Sequence, residues 1–231
     1  MVLTERQFHA YGPSHWVVLA VSVFGAAGLV ALGRRAETRS SRWCGHLLGV
    51  LITVLNVGIE LWRFRPAQLA QTLPLQLSDL APYVSAYALW SRRQWAVSLT
   101  YYWCLTLSTQ ALMTPVLSGP DFPSVTFLAF FGDHVLVVWA AVFLTWGLRR
   151  SPSWHGYRVT VVVTVCWAAA MFPLNASAGT NYGFLNRKPG TRSLLDLLGP
   201  WPWYLIPETV LVLGVWALMT LPWQRHRSAG G

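Results

Sequence analysis

The feature that most constrains this chain is a series of seven apolar blocks separated by short polar connections. The blocks cover residues 15–32, 43–62, 74–90, 95–117, 125–148, 157–174 and 201–221. A helix needs roughly 20 apolar residues to cross the hydrocarbon core of a bilayer. The pattern predicts an all-α polytopic transmembrane bundle with about seven spans, preceded by a segment at 1–14 and followed by a mobile tail at 222–231.

The composition excludes an ordinary soluble domain. Of the 231 residues, 54% are hydrophobic and 11% are charged, against roughly 25% charged in soluble domains. Cys44, Cys104 and Cys166 each lie inside an apolar block, so we interpret them as packing residues. Gly45 and Gly49, four residues apart in the second block, predict a close approach between helices.

The basic residues predict the orientation of the spans. One set of connections holds eleven of them: Arg34, Arg35, Arg39, Arg42, Arg92, Arg93, Arg149, Arg150, Arg158, Arg225 and Arg227. The other set holds six: Arg6, Arg63, Arg65, Arg187, Lys188 and Arg192. Because basic residues are retained in the cytoplasm, we expect the N-terminus outside and the C-terminus inside. The net charge of +9 is spread between apolar blocks, which argues against a nucleic-acid partner.

Polar residues within the blocks gather toward the expected outer face. A charged residue at the centre of a span opposes insertion by about 2.5–3.5 kcal/mol, so such residues invite a functional hypothesis. They are Glu60, Gln76, Ser78, Asp79, Gln110, Asp133, His134 and Asn175. They predict an outward-facing polar pocket, and the alternative is that the long side chains reach the headgroups from helix ends without forming a pocket.

Ser78 and His134 are the candidate catalytic pair. Imidazole exchanges protons near neutral pH, and a serine within hydrogen-bond reach of it can act as a nucleophile. Asp79, Gln110 or Asn175 would then orient the base or stabilise an oxyanion. The alternatives are a hydrogen-bonded packing histidine and a serine bonded to a carbonyl one turn back.

The connection before the seventh block is too apolar for a free loop. Residues 193–198 predict a short interfacial helix with Ser193 near its start, and Trp201, Trp203 and Tyr204 predict anchors at the headgroups. Arg187 and Lys188 are candidates for binding an anionic headgroup, and the alternative is a solvated basic loop. Asn181 and Tyr182, beside them, are further candidate substrate-binding residues.

Three stretches carry a resemblance to a known family: Leu73-Pro74-Leu75-Gln76-Leu77-Ser78-Asp79, His134, and the run from Asn181-Tyr182 through Lys188-Pro189 to Trp201-Pro202-Trp203-Tyr204. From the second block onward the chain resembles the YwaF-like family of bacterial integral membrane proteins. That family is distantly similar to a eukaryotic multi-pass phospholipid acyltransferase that uses a cysteine and a histidine, and to membrane hydrolases of fatty-acid esters. The resemblance implies several transmembrane helices and acyl chemistry on lipids.

The resemblance also implies roles for individual residues. In many relatives the motif of the third block reads Pro-Leu-His-Leu-Cys, and this chain has Gln76 and Ser78 at the matching positions. His134 keeps the histidine position of the family. A serine needs a stronger base partner than a cysteine, because its hydroxyl is less acidic than a thiol, so loss of the covalent step is an equally sound inference.

Three classes of function follow. The leading hypothesis is a lipid-directed acyltransferase or ester hydrolase, with membrane lipids as partners, in the plasma membrane of a bacterium. The second is a transporter, or a membrane protein that binds a small ligand or a lipid without catalysis. The third is a scaffold for another membrane protein. The candidate protein partners are a second copy of the chain and another membrane protein. The six histidines lie on different segments, so we expect no metal and no other cofactor.

Overall fold

The computed structural model describes residues 6–35, 39–189 and 194–228. Within these ranges the chain is all-helical, with no strand, which confirms the predicted fold class. Seven helices have 15 residues or more. They are α1 (Pro13–Arg34), α2 (Arg39–Arg63), α3 (Leu77–Ser91), α4 (residues 94–113), α5 (Val125–Gly147), α6 (Trp154–Ala178) and α7 (Leu205–Ser228).

Each apolar block corresponds to one of these helices, and five of the helices are long and apolar enough to cross a membrane. These five are α1, α2, α5, α6 and the part of α7 at Leu205–Gln224. The remaining two are not among these five: α3 has 15 residues, and α4 contains a π-helical turn at Cys104–Ser108, as α5 does at Phe143–Gly147. A multi-pass membrane protein follows, and the number of seven spans and their orientation stay predictions.

The chain divides into two compact units, of which the first comprises Met1–Arg63 and Ser78–Ser151. Helix α5 is the centre of this unit and contacts α1, α2 and α4. Half of its apolar window is buried, against 11% for α1. A Cβ atom at Gly45 would lie 3.3 Å from the ring of Phe143, and one at Gly49 would lie 2.5 Å from Trp90 Nε1. The close helix packing predicted at these two glycines is therefore confirmed.

The predicted N-terminal segment is part of the first unit. The Phe8 amide donates to the Gly119 carbonyl over 2.9 Å, and the Phe8 side chain joins a core with Phe127 and Phe131.

His15, near the start of α1, is fully buried. Its Nδ1 atom accepts from the Tyr11 amide over 2.9 Å, and its Nε2 atom lies 2.7 Å from the Leu112 carbonyl. Because a carbonyl only accepts, Nε2 carries the proton, and we interpret His15 as a structural residue.

The second unit comprises Phe64–Leu77 and Pro152–Gly231. It contains α6, α7 and short helices at Pro66–Gln68, Leu69–Thr72, Tyr182–Phe184 and Leu194–Leu198. The last of these lies where the short interfacial helix was predicted, although Ser193 lies outside the described residues.

The helix of the third block begins at Leu77 instead of residue 74. The residues before it hydrogen-bond elsewhere, since the Leu75 carbonyl accepts from Trp167 Nε1 over 2.9 Å.

Helix α7 is displaced toward the C-terminus relative to the seventh block. It begins at Leu205 instead of residue 201, because residues 201–204 form a turn. It continues to Ser228, beyond the predicted end of the span at residue 221, and residues 229–231 of the predicted tail lie outside the described part.

Candidate functional site

A cluster of polar side chains lies among α2, α3 and α5 in the first unit. We call it the polar cluster, and its members are Asn56, Glu60, Asp79, Tyr83, Asp133 and His134. The clearest link in it is between two helices, since Asn56 Nδ2 donates to Asp133 Oδ1 over 2.9 Å and to the Ile52 carbonyl over 3.0 Å. Asn56 is buried, so this bond joins α2 to α5 away from water.

Tyr83 connects α3 to the cluster. Its hydroxyl hydrogen-bonds to the Glu60 carboxylate, and the carboxylates of Asp79 and Asp133 lie near enough to interact with it electrostatically. Arg63, at the end of α2, interacts in the same way with Asp133 and His134. The carboxylates of Glu60, Asp79 and Asp133 therefore all lie within electrostatic range of the Tyr83 hydroxyl.

His134 is the member whose hydrogen bonding is incomplete. Its side chain is 13% exposed, and Nδ1 lies 3.9 Å from Asp133 Oδ2, beyond hydrogen-bond distance. The ring packs edge-on against Phe130, with centroids 4.7 Å apart. Nδ1 is buried and has no hydrogen-bond partner among the described residues. A buried polar atom in this state is destabilising unless something else bonds to it.

Ser78 lies in the first turn of α3 and is half-buried. No hydrogen bond joins it to His134 in the described part of the chain. Gln110 is exposed near the end of α4, and its side chain makes no bond to the cluster within the same residues. The structure therefore brings Glu60, Asp79, Asp133 and His134 together, and it leaves the predicted Ser78–His134 pair unformed.

In the second unit, Asn175 is the centre of a separate hydrogen-bond network. Its side chain is fully buried. Oδ1 accepts from Thr180 Oγ1 and from the Tyr182 amide, both over 2.8 Å, and Nδ2 donates to the Tyr182 carbonyl over 3.0 Å. Every polar atom of this side chain is bonded within the protein, so Asn175 shapes the chain that follows α6.

Gln76 and Tyr182 extend this network to residues 64–77. The Tyr182 hydroxyl bonds to the carbonyls of Ala70 and Leu73, at 2.5 and 2.9 Å. Gln76 Oε1 accepts from the Gly183 amide over 2.8 Å. A side chain at position 183 would meet Trp167, because a Cβ atom there would lie 2.4 Å from its ring. Two predicted substrate-binding side chains thus bond to the backbone of their own unit.

Asn181, Arg187 and Lys188 lie in the loop after α6. Asn181 Nδ2 donates to the Arg187 carbonyl over 2.8 Å, which closes the loop on itself. Arg187 is exposed. Lys188 Nζ lies 3.7 Å from Asp196 Oδ1 and 5.6 Å from the centre of the Tyr204 ring, so its charge is balanced by a carboxylate and an aromatic face.

The predicted aromatic anchors differ in exposure. Trp201 and Trp203 are exposed, by 49% and 66%, as an anchor at the headgroups requires. Tyr204 is fully buried, and its hydroxyl donates to the Phe184 carbonyl. The prediction for Tyr204 was therefore wrong, because this ring packs inside the loop, where its hydroxyl finds a backbone acceptor.

Two members of the polar cluster, Asn56 and Tyr83, were not predicted from the sequence. A signal for both was present in the spacing, because Asn56 lies four residues before Glu60 and Tyr83 four residues after Asp79. Residues four apart share one face of a helix. No group of three His, Cys, Asp or Glu side chains within the described ranges could hold a metal ion.

Comparison with known proteins supports the class of protein inferred from the helices. No curated protein and no solved structure is significantly similar to the chain. The resemblance to the YwaF-like family, with its implied acyl chemistry, therefore stays a prediction. A family model does match, over residues 10–220. Since this match covers nearly the whole chain, the protein belongs to the TMEM164 family, a family of multi-pass membrane proteins.

Proposed function

We propose that the protein binds a membrane lipid at the polar cluster and acts on its ester bond. His134 accepts the proton and Ser78 accepts the acyl group. The observation that supports this proposal is the buried Nδ1 atom of His134, which has no hydrogen-bond partner among the described residues. A second support is the resemblance, which implies acyl chemistry and a histidine at this position.

A polar ligand would stabilise the His134 site by bonding to its unpaired Nδ1 atom. An unpaired buried polar group is destabilising by about 1–3 kcal/mol, and an ester or hydroxyl group of a lipid would supply the absent bond. A neutral imidazole beside Phe130 is a proton acceptor in a largely apolar environment. Asp133 Oδ2, 3.9 Å from Nδ1, would stabilise the imidazolium once the proton has been transferred.

The proposed reaction transfers the acyl group in two steps. In the first, Ser78 Oγ attacks the ester carbonyl carbon, His134 takes the hydroxyl proton, and the C–O bond of the ester breaks as the lipid alcohol leaves with that proton. In the second, water or another alcohol attacks the acyl-serine while His134 takes its proton and returns it to Ser78. Water as acceptor gives hydrolysis, and a lipid alcohol gives acyl transfer.

The reaction requires that Ser78 Oγ and His134 approach each other when the lipid binds. Catalytic hydrogen bonds are often long or unformed before substrate arrives. Ser78 lies in the first turn of α3, where the helix backbone is least constrained by its own hydrogen bonds. A shift of this turn toward His134 is therefore the conformational change that the proposal needs.

The test is turnover of a labelled phospholipid ester by the purified full-length protein in lipid nanodiscs. We expect His134→Gln and Ser78→Ala each to lower turnover by about 100-fold or more, since general-base and nucleophile losses have effects of this size. His155→Gln and Ser177→Ala are the matched controls, because both side chains are exposed on α6. Unchanged turnover in His134→Gln would overturn the mechanism, and an acyl mass on the Ser78 peptide would establish the covalent step.

A second candidate function is lipid binding or transport without catalysis. The unformed Ser78–His134 pair favours it, as does the convergence of Glu60, Asp79 and Asp133 around Tyr83. In this case the lipid would co-purify with the protein and be lost in His134→Gln, and no ester would be cleaved. Uptake by sealed vesicles that depends on Glu60 or Asp133 would identify transport.

We also propose a plasma-membrane location in a bacterium, with membrane lipids as the partners. Only Lys188 among the 17 basic residues is a lysine, a bias typical of GC-rich bacterial genomes. Cell fractionation with a tagged chain tests the location. Crosslinking in native membranes would show whether a second copy or another protein accompanies the chain.

A further inference from the structure

Charge is strongly segregated among the described residues of the first unit. Its acidic side chains in the described ranges lie at one end, as Glu60, Asp79, Asp121 and Asp133. Its arginines lie mostly at the other, where α1, α3 and α5 end and where α2 and α4 begin. They are Arg34, Arg35, Arg39, Arg42, Arg92, Arg93, Arg149 and Arg150. We call this the arginine end.

Hydrogen bonds hold the helix termini of the arginine end together. Arg34 Nε donates to the Trp146 carbonyl over 3.3 Å, which joins α1 to α5. Trp90 Nε1 donates to the His46 carbonyl over 3.4 Å, which joins α3 to α2. These bonds therefore join the arginine-bearing ends of α1 and α5, and those of α2 and α3.

A groove of about 260 Å³ lies at the arginine end, lined by Arg39, Arg42, Trp43 and His46. These residues have the spacing i, i+3, i+4 and i+7, so they share one face of α2. All four are exposed. His46 Nδ1 lies 2.8 Å from the Arg42 carbonyl and must donate to it, which holds the imidazole ring at the groove.

The arginines of the groove have no acidic partner in the described part of the chain. No carboxylate there pairs with the guanidinium of Arg39 or Arg42. An arginine fork matches the geometry of a phosphate and binds it through two parallel hydrogen bonds. The charge and shape of the groove thus complement a phosphate group.

Below the groove, the same face of α2 becomes apolar and stays exposed. Leu47 is 59% exposed, Val50 47% and Val54 65%. At 1.5 Å per residue, the strip from His46 to Val57 is roughly 16 Å long, comparable to the greater part of a lipid acyl chain. A free phosphate ion would use only the groove, whereas a phospholipid would use both the groove and the strip.

We propose that the arginine end carries a binding site for one anionic phospholipid, with its phosphate in the groove and an acyl chain along the apolar strip. The site is independent of the proposed function, because Arg39 and Glu60 lie near opposite ends of α2, roughly 30 Å apart along the helix. Basic pockets beside transmembrane helices bind anionic headgroups through the same combination of charge and hydrocarbon contact.

The test is lipid binding to the purified full-length protein, followed by native mass spectrometry. Titration with phosphatidylglycerol, phosphatidylcholine and inorganic phosphate separates the three chemistries. We expect one retained phosphatidylglycerol. In the double variant Arg39→Gln with Arg42→Gln, its Kd should rise by about tenfold or more, since each basic residue near an anionic surface contributes appreciably.

The control is Arg35→Gln with Arg93→Gln, which removes the same charge from the arginine end but not from the groove. Its Kd for phosphatidylglycerol should change by less than about threefold, because distant surface charges are screened. Equal weakening in both double variants would overturn the proposal, since binding would then follow total charge. Equal affinity for phosphatidylcholine, or displacement of the lipid by inorganic phosphate at a similar concentration, would also overturn it.

Discussion

Two buried side chains of this protein, Asn175 in the second unit and His134 in the first, differ in how completely their hydrogen bonds are formed. In the second unit, Asn175 bonds through both side-chain polar atoms, and the Tyr182 hydroxyl reaches two carbonyls. In the polar cluster of the first unit, Asn56 reaches Asp133, but His134 Nδ1 is buried without a partner among the described residues.

The difference separates structural polar residues from candidate functional ones. A buried polar group with all its bonds made within the protein stabilises one conformation. A buried polar group left incomplete lowers stability, and a ligand, an ordered water or a role in a reaction can account for it. Among the described residues, Ser22 Oγ, Thr145 Oγ1 and Asn186 Oδ1 share this state with His134 Nδ1. The contrast supports a structural role of Asn175 and Tyr182 in the loop and the role proposed for His134, and four substitutions test it.

Asn175→Ala should have the largest effect on stability. It removes the partners of Thr180 Oγ1, the Tyr182 amide and the Tyr182 carbonyl. We expect a loss of about 3 kcal/mol or more, since each unsatisfied buried group costs about 1–3 kcal/mol. Thermal unfolding in detergent measures it, with the exposed neighbour Ser177→Ala as control. Equal stability of the two variants would show that the network is not structural.

Tyr182→Phe should destabilise by about 1–2 kcal/mol, because the ring stays while the carbonyls of Ala70 and Leu73 lose a donor. Tyr87→Phe is the matched control, since no described residue hydrogen-bonds to its hydroxyl and it stacks on Trp95 instead. Denaturation of both variants under one condition gives the difference. A larger loss for Tyr87→Phe would contradict the structural role of Tyr182.

Asp133→Asn should change stability by about 1 kcal/mol or less. The new side chain still accepts from Asn56 Nδ2, and removing a carboxylate from a mostly buried site offsets the weaker bond. Turnover of the labelled ester should fall nevertheless, because the imidazolium of His134 would lose its nearest anion. Unfolding and turnover measured on the same preparation separate these effects. Full turnover would place Asp133 outside the reaction.

His134→Phe should have the smallest effect on stability and the clearest effect on function. An apolar ring of similar size would pack on Phe130 and remove an unpaired nitrogen, so the change in unfolding free energy should stay within about 1 kcal/mol. Lipid binding or turnover should be lost. A strongly destabilised variant would mean that the imidazole is a structural residue and would erase the contrast with Asn175.

Much of the fold was predictable because membrane insertion depends on local sequence. All seven apolar blocks contain a helix, and their limits shift by a few residues where side chains bond to backbone, as at Leu75 and Trp167. The positions of Glu60, Asp79 and Asp133 toward equivalent helix ends were also readable from the sequence, and all three lie within electrostatic range of Tyr83. Asn56 and Tyr83 could have been predicted from their four-residue spacing to Glu60 and Asp79, which places each pair on one helix face. Inspection of polar residues one at a time did not identify them.

The sequence by itself determined that this is a helical membrane protein, where its helices lie, and which helix ends carry arginine or carboxylate. These properties depend on hydrophobic length and charge, which are local. Only the tertiary structure decided that Tyr204 is buried, that Asn175 and Tyr182 complete their bonds, and that no hydrogen bond joins Ser78 to His134 among the described residues. A hydrogen bond depends on distances of a few tenths of an ångström between residues far apart in the chain, and packing alone sets those distances.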